Sequence, residues 1–174
     1  MGTVTGAGLM TPGGLQVRVG QGFDIHRFSD DPADRLVLGG VYFEGERGLR
    51  GHSDGDAIAH AVTEALLGAA GLGDIGQHFP DTDPTWKGAD SLAMLRQVAG
   101  LLADAGWMVG NVDCSVVCEQ PKLAPRRDEM QQRLSAAAGA PVTVKGRRAE
   151  GLGALGRGEG IACWAVAVIQ RHEI

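Results

Sequence analysis

Aromatic residues are scarce in this chain, at 5% of 174 residues. The interior must therefore be filled by Ala, Val, Leu and Ile. No apolar run approaches the ~20 residues of a membrane-spanning helix, so a membrane is not an expected partner. There is no excess of positive charge either. The net charge of −5 argues against a broad nucleic-acid surface. Cysteine is limited to Cys114, Cys118 and Cys163. The N-terminal stretch lacks the charged region and apolar core of an export signal. An odd number of cysteines without such a signal predicts reduced thiols and a cytoplasmic location. What the chain has in quantity is glycine, 28 residues, which suits tight turns and loops that close on a small anion. The length fits one compact domain over 16–174, preceded by a flexible tail at 1–15. No internal repeat or linker is visible.

Taken in order, Val17 to Phe28 reads as a strand. Leu36–Leu38 and Val41–Phe43 around Gly39-Gly40 read as a hairpin. Helical spacing of Ile58, Ala61, Val62, Ala65, Leu66 and Ala69 predicts a long helix after Gly51-His52-Ser53-Asp54-Gly55-Asp56. Ser53 followed by Asp56 resembles a capping box, which would put Asp54 and Asp56 in the first turn. Residues 72–84 are dense in Asp and Gly and read as an ordered surface connection. A second helix starts at Asp90 or Ser91 and ends at Gly106, and a third starts near Pro125 and ends at Gly139. Val109 to Cys118, Val142 to Lys145 and Ile161 to Ile169 are the remaining strands. The last is apolar almost throughout and is expected to be buried on both faces. Cys114 and Cys118 read as small buried apolar residues. Strands and helices mix without strict alternation, which predicts an α+β class with a mixed sheet packed against helices.

The chemistry concentrates around two stretches. Asp24 and His26 are two apart on a strand and point to one face. His60 lies about a turn into the first helix. Two imidazoles and one carboxylate leave a fourth position open, the pattern of a catalytic zinc site.

These motifs resemble the 2-C-methyl-D-erythritol 2,4-cyclodiphosphate synthase family of the non-mevalonate isoprenoid pathway. The likeness rests on Gly20–His26, His52–Asp56 with His60, Leu72–Gly76, Phe79–Pro84, Lys87–Asp90, Gly110–Asp113, Pro121-Lys122 and Gly156–Ala162, in order and register. It implies a homotrimer with a central cavity and a metal-dependent lyase that folds 4-diphosphocytidyl-2-C-methyl-D-erythritol 2-phosphate into a cyclic diphosphate and releases CMP. It implies zinc on Asp24, His26 and His60, with Asp24, Ile25 and His26 also beside the substrate. His52 and Ser53 would face the phosphates. Asp74, Ile75 and Gly76 would meet the methylerythritol unit, with Phe79, Pro80, Asp81, Thr82 and Asp83 nearby. Cys118, Pro121, Lys122 and Ala124 of an adjacent subunit would line the cytidine pocket. Glu150 would help hold a second Mg or Mn ion on the diphosphate. Ala154 and Arg157 would stand at the mouth of the trimer cavity, where an isoprenoid diphosphate is a candidate occupant.

One segment departs from the family. Arg147 and Arg148 replace threonines whose hydroxyls and N–H groups contact the diphosphate, which makes His52, Arg148 and Glu150 the catalytic candidates. Guanidinium and hydroxyl groups are not interchangeable. Three readings follow: the arginines clamp phosphates bidentately, pair with Glu150 and displace the second metal, or face solvent beside an impaired site. The functional alternatives are a non-catalytic trimer that binds metal and nucleotide, and a zinc phosphoester hydrolase.

Overall fold

In the computed structural model, which describes residues 9–11 and 14–172, two thirteen-residue strands form the spine, β2 (Leu15–Arg27) and β7 (Gly160–His172). They pair antiparallel from Leu15 opposite His172 to Arg27 opposite Gly160. β1 (Leu9–Thr11) flanks β2, and β5 (Met108–Val117) flanks β7, both antiparallel. β6 (Val142–Arg147) runs parallel to β5, giving the order β1-β2-β7-β5-β6. β3 (Leu36–Leu38) and β4 (Val41–Phe43) form the separate hairpin read from the sequence. Its turn residues Gly39 and Gly40 both have positive φ, at 57° and 72°, which suits a tight two-residue connection.

Three long helices, α1 (Ala57–Ala70), α3 (Ser91–Asp104) and α4 (Arg127–Ala138), cover one face of the sheet. α2 (Ile75–His78) and α5 (Gly153–Gly156) are single turns in the connections. The mixed sheet under helices is the α+β class that the sequence predicts. α1 buries the stripe read from its spacing, and α3 buries Leu92, Leu95, Val98 and Leu102. The three cysteines are free and buried. Among the described residues, no helix is long and apolar enough to cross a membrane.

The approach of α1 to β2 is set by two glycines. A Cβ on Gly20 would lie 2.0 Å from the Ala65 carbonyl oxygen, and one on Gly22 2.0 Å from that of Ala61. Without side chains here, the helix settles directly on the strand. Gly20, Gly22, Asp24 and His26 share that strand face, so the same contact brings α1 over the metal-ligand candidates.

Several expectations are corrected. Asp56, not Ser53, caps α1, accepting from Ile58 N and Ala59 N, and the helix starts at Ala57. Asp56 also accepts from Gly39 N and Gly40 N, so it ties the hairpin to the helix. Asp54 consequently lies ahead of the first turn. β7 is not buried on both faces: Trp164 and Val166 are 39% and 45% exposed. Its outward positions around Trp164 and Val166 are apolar, but no element among the described residues covers them. Val19, Phe23 and Ile25 of β2 continue that bare face. Within the expected tail, residues 9–11 are strand, because their backbone groups pair with β2; residues 1–8 lie outside the described residues. β6 extends to Arg147, since Gly146 and Arg147 pair with Val116 and Val117.

Candidate metal centre and its surroundings

Asp24 and His26 project from the helix-covered face of β2, and His60 reaches them from the start of α1. Asp24 Oδ2 lies 3.0 Å from His26 Nε2 and 2.9 Å from His60 Nδ1. The two ring nitrogens are 3.2 Å apart. These three residues form the one His/Cys/Asp/Glu group among the described residues arranged to hold a metal ion. Bonds of about 2.0–2.1 Å in a tetrahedral site place ligand atoms about 3.3 Å apart, so the spacing fits within a few tenths of an ångström. The donor chemistry fits too. His26 Nδ1 lies 2.7 Å from the Arg50 carbonyl oxygen. A carbonyl only accepts, so Nδ1 carries a proton; Nε2, which donates to Asp24 in the metal-free site, is the nitrogen left to bind an ion once it gives up its proton.

Burial of Asp24 would raise its carboxyl, but hydrogen bonds from His26 and His60 and their charge outweigh it and hold the group well below the usual carboxylate range. His26 shows the opposite balance. Burial would lower it, while the hydrogen bond and charge of Asp24 leave it raised above 6.5. Burial pushes Asp56 up to about 6, with the Asp54 charge adding to it and backbone N–H bonds from Ala59, Gly40 and Gly39 opposing it.

The signature loop sits against the next connection. His52 Nε2 lies 3.3 Å from the Asp83 carbonyl oxygen, and Gly88 N donates to the His52 carbonyl at 2.8 Å. A cavity of about 290 Å³ beside the triad is lined by Phe23, Asp24, His60, Glu64, Asp74, Ile75 and Gly76. Asp74 caps α2 through Gln77 N. Glu64, absent from the sequence reading, accepts from Ile75 N at 2.9 Å and holds that turn against α1. Its signal was its place four residues after His60, on the same helix face. Phe79 is buried with its ring edge-on to Trp86, centroids 4.8 Å apart. Pro80 is half-buried, Asp81 and Thr82 are exposed, and Asp83 caps the turn at Thr85. Ile25 points to the bare face of β2, away from its neighbours Asp24 and His26.

The remaining candidates cluster elsewhere. Cys118, Pro121, Lys122, Ala124, Arg147 and Arg148 line a cavity of about 350 Å³ that also takes in Glu119, Arg127 and Lys145. Burial, then the Glu119 charge, pushes the Cys118 thiol up to about 11. Ala149 N donates to Glu119 at 2.9 Å, and Glu150 adopts a positive φ of 52°. Arg147 donates to the Gly146 carbonyl. Among the described residues, no ion pair joins Arg147 or Arg148 to Glu150. Ala154 is exposed on α5. Arg157 bonds Glu159 at 2.6 Å and lines a third cavity with Arg27 and Arg47.

Across the sheet, Asp24 is opposite Cys163, Cys163 opposite Val116, and Val116 opposite Gly146. The triad and the arginine cavity thus stand at one level, three strand spacings or about 14 Å apart. One chain does not bring them together.

Comparison with known proteins gives consistent matches. Residues 17–170 match the model of the YgbB family. A bifunctional enzyme IspD/IspF of Anaeromyxobacter dehalogenans is 55% identical over 158 residues, covering 89% of this chain; the chain spans only 40% of that relative's length. A 2-C-methyl-D-erythritol 2,4-cyclodiphosphate synthase of Burkholderia thailandensis is 50% identical over 161 residues, 91% of this chain and 98% of the relative. A solved structure described as a CDP complex of IspF from Plasmodium falciparum superposes with a TM-score of 0.78 at 32% identity, covering 94% of this chain and all of that one.

Proposed function

The chain belongs to the YgbB family, and we propose that it converts 4-diphosphocytidyl-2-C-methyl-D-erythritol 2-phosphate to 2-C-methyl-D-erythritol 2,4-cyclodiphosphate and CMP. The observation that carries this reading is the convergence of Asp24 Oδ2, His26 Nε2 and His60 Nδ1 within 3.2 Å of one another. In the reaction a 2-phosphate oxygen bonds to the β-phosphorus. The bond from that phosphorus to the oxygen bridging the α-phosphate breaks, and CMP leaves with the electron pair. The attacking oxygen is already anionic, so no dedicated base is needed. The barrier lies in bringing two polyanions together and in line.

Asp24, His26 and His60 would hold a divalent ion, with zinc the first candidate, which would supply charge neutralisation and polarisation of the phosphoryl group. Around it, His52 and Ser53 on the signature loop offer donors to the phosphates. Asp74, Ile75 and Gly76 shape the cavity for the methylerythritol unit. Lys122, Arg147 and Arg148 surround a pocket suited to the cytidine diphosphate end, and the Plasmodium falciparum relative is described with CDP. Arg148 takes over phosphate contacts that hydroxyls make elsewhere in the family. Glu150 would help hold a second ion, Mg or Mn, with the diphosphate.

Two observations support a homotrimer whose active sites lie between neighbours. The two half-sites stay apart in one chain, and the sheet leaves Val19, Phe23, Ile25, Trp164 and Val166 exposed on one face. Ala154 and Arg157 would then face a central cavity with room for an isoprenoid diphosphate. The test is phosphorus NMR of the purified protein with zinc, magnesium and the linear substrate. Cyclic diphosphate with stoichiometric CMP is expected. Unchanged substrate beside a working control enzyme would overturn the reading, and linear hydrolysis products would replace it with a zinc hydrolase.

A further inference from the structure

His60 has two ring nitrogens, and only one faces the cluster. The other, Nε2, lies 2.8 Å from Ser91 Oγ and 2.9 Å from Ser53 Oγ. The two serines are held very differently. Ser91 is fully buried at the first position of α3. Its backbone N–H donates to Asp54 Oδ2 at 3.1 Å, and its hydroxyl donates to Asp54 Oδ1 in a very short contact. A hydroxyl has one proton. Because Asp54 takes it, Ser91 Oγ can only accept from His60. Ser53 has no such fixed acceptor. It is half-buried on the signature loop, and its proton is free to point to Ser91 Oγ at 3.4 Å or to a ligand.

We propose that Ser91, locked by Asp54, is the positioning residue that keeps a proton of His60 on Nε2 and so commits Nδ1 to the metal position between Asp24 and His26, leaving Ser53 free to turn to the substrate phosphate. A histidine whose outer nitrogen is bonded this way presents its inner nitrogen in one tautomer and one ring orientation. If Ser53 were the acceptor, a phosphate that recruited its hydroxyl would loosen His60 at the moment the site is used. The division of labour removes that conflict. It links α3 to the site through a residue of no chemical distinction in the sequence. It also gives Asp54 a role that a first-turn charge would not have.

The inference rests on the reading of Asp24, His26 and His60 as metal ligands, so the test reads proton position and metal affinity rather than turnover. In protein labelled with ¹⁵N histidine, two-bond ¹H–¹⁵N spectra identify the protonated nitrogen of His60, and zinc affinity follows from chelator competition. In the zinc-loaded wild type, the Nε2–H of His60 is expected to be protected and Nδ1 metal-bound. Ser91→Ala should lose that protected proton and bind zinc about 10- to 100-fold more weakly. Ser91→Thr should restore both, and Ser53→Ala should retain both. Should Ser91→Ala fail to fold, Ser91→Cys gives the same reading with similar shape and a poorer acceptor. Unchanged affinity and tautomer in the Ser91 variants, or the loss appearing in Ser53→Ala instead, would overturn the assignment. Zinc binding with no response at His60 would instead refute the ligand set itself.

Discussion

The triad on β2 and the arginine pair at the end of β6 stand at one level of the same sheet, yet their surroundings differ in kind. At the triad the fold supplies a partner for both outer nitrogens: the Arg50 carbonyl for His26, and Ser91 with Ser53 for His60. Two glycines let α1 lie against β2, and this contact brings the ligand atoms together. At the other end Arg147 and Arg148 are exposed, and among the described residues Arg147 bonds only a backbone carbonyl. The first region is preorganised within one chain. The second offers charge without fixed geometry and needs a ligand or a neighbouring surface to define it. The cost of ordering is met by packing in one case and by binding in the other.

Perturbing each region should expose that difference. His60→Ala removes a ligand and is expected to bring bound zinc close to zero. Turnover should fall by more than the ~100-fold typical of losing an outer-shell partner. Metal content by atomic spectroscopy checks it, and full occupancy in the variant would mean that the fold does not build the centre as described. Next in size is backbone clearance. Gly22→Ala drives a Cβ to 2.0 Å from the Ala61 carbonyl oxygen, and a loss near 3 kcal/mol is expected, the upper end for overpacking. Gly146→Ala beside the arginines meets Leu123 at an ordinary 3.6 Å and should stay within about 0.5 kcal/mol of wild type. Equal denaturant midpoints for the two variants would erase the contrast.

Arg148→Ala should lower kcat/KM by about 10- to 100-fold, the value of one charge-assisted hydrogen bond, and leave zinc content intact. A variant as active as wild type would assign the arginine to solvent. The smallest effect is on metal-free stability against pH. The lowered Asp24 contributes stability that is present above its ordinary value of 3.8 and lost as pH falls through its folded value. The raised His26 contributes stability that is present below 6.5 and lost as pH rises through its folded value. Both act between about 3.8 and 6.5, where Asp24→Asn should cost the most. A uniform cost from pH 4 to 9 would show that the pair is not coupled.

Much of this was legible because it is periodic or local. Alternation put Asp24 and His26 on one strand face, and the helical stripe of α1 fixed which side of the helix is buried. Glycine punctuation marked the hairpin and the helix ends. The candidate metal ligands were read from residue types and spacing, whereas ring closure came only from the resemblance to the family. The errors came where a residue's partner is far along the chain. The cap of α1 went to Asp56 because Gly39 and Gly40 also needed an acceptor. β7 looked doubly buried because composition does not reveal whether an apolar face has a covering layer inside the same chain.

The sequence by itself determined the order of the main strands and long helices, the α+β class and the three candidate ligands, since these follow from backbone periodicity and side-chain chemistry. Only the tertiary structure decided that His60 presents Nδ1 rather than Nε2, that Ser91 and Glu64 support the site, and that the arginine cavity lies apart from the triad. Those facts depend on distances between residues tens of positions apart, and packing sets such distances while local preference does not.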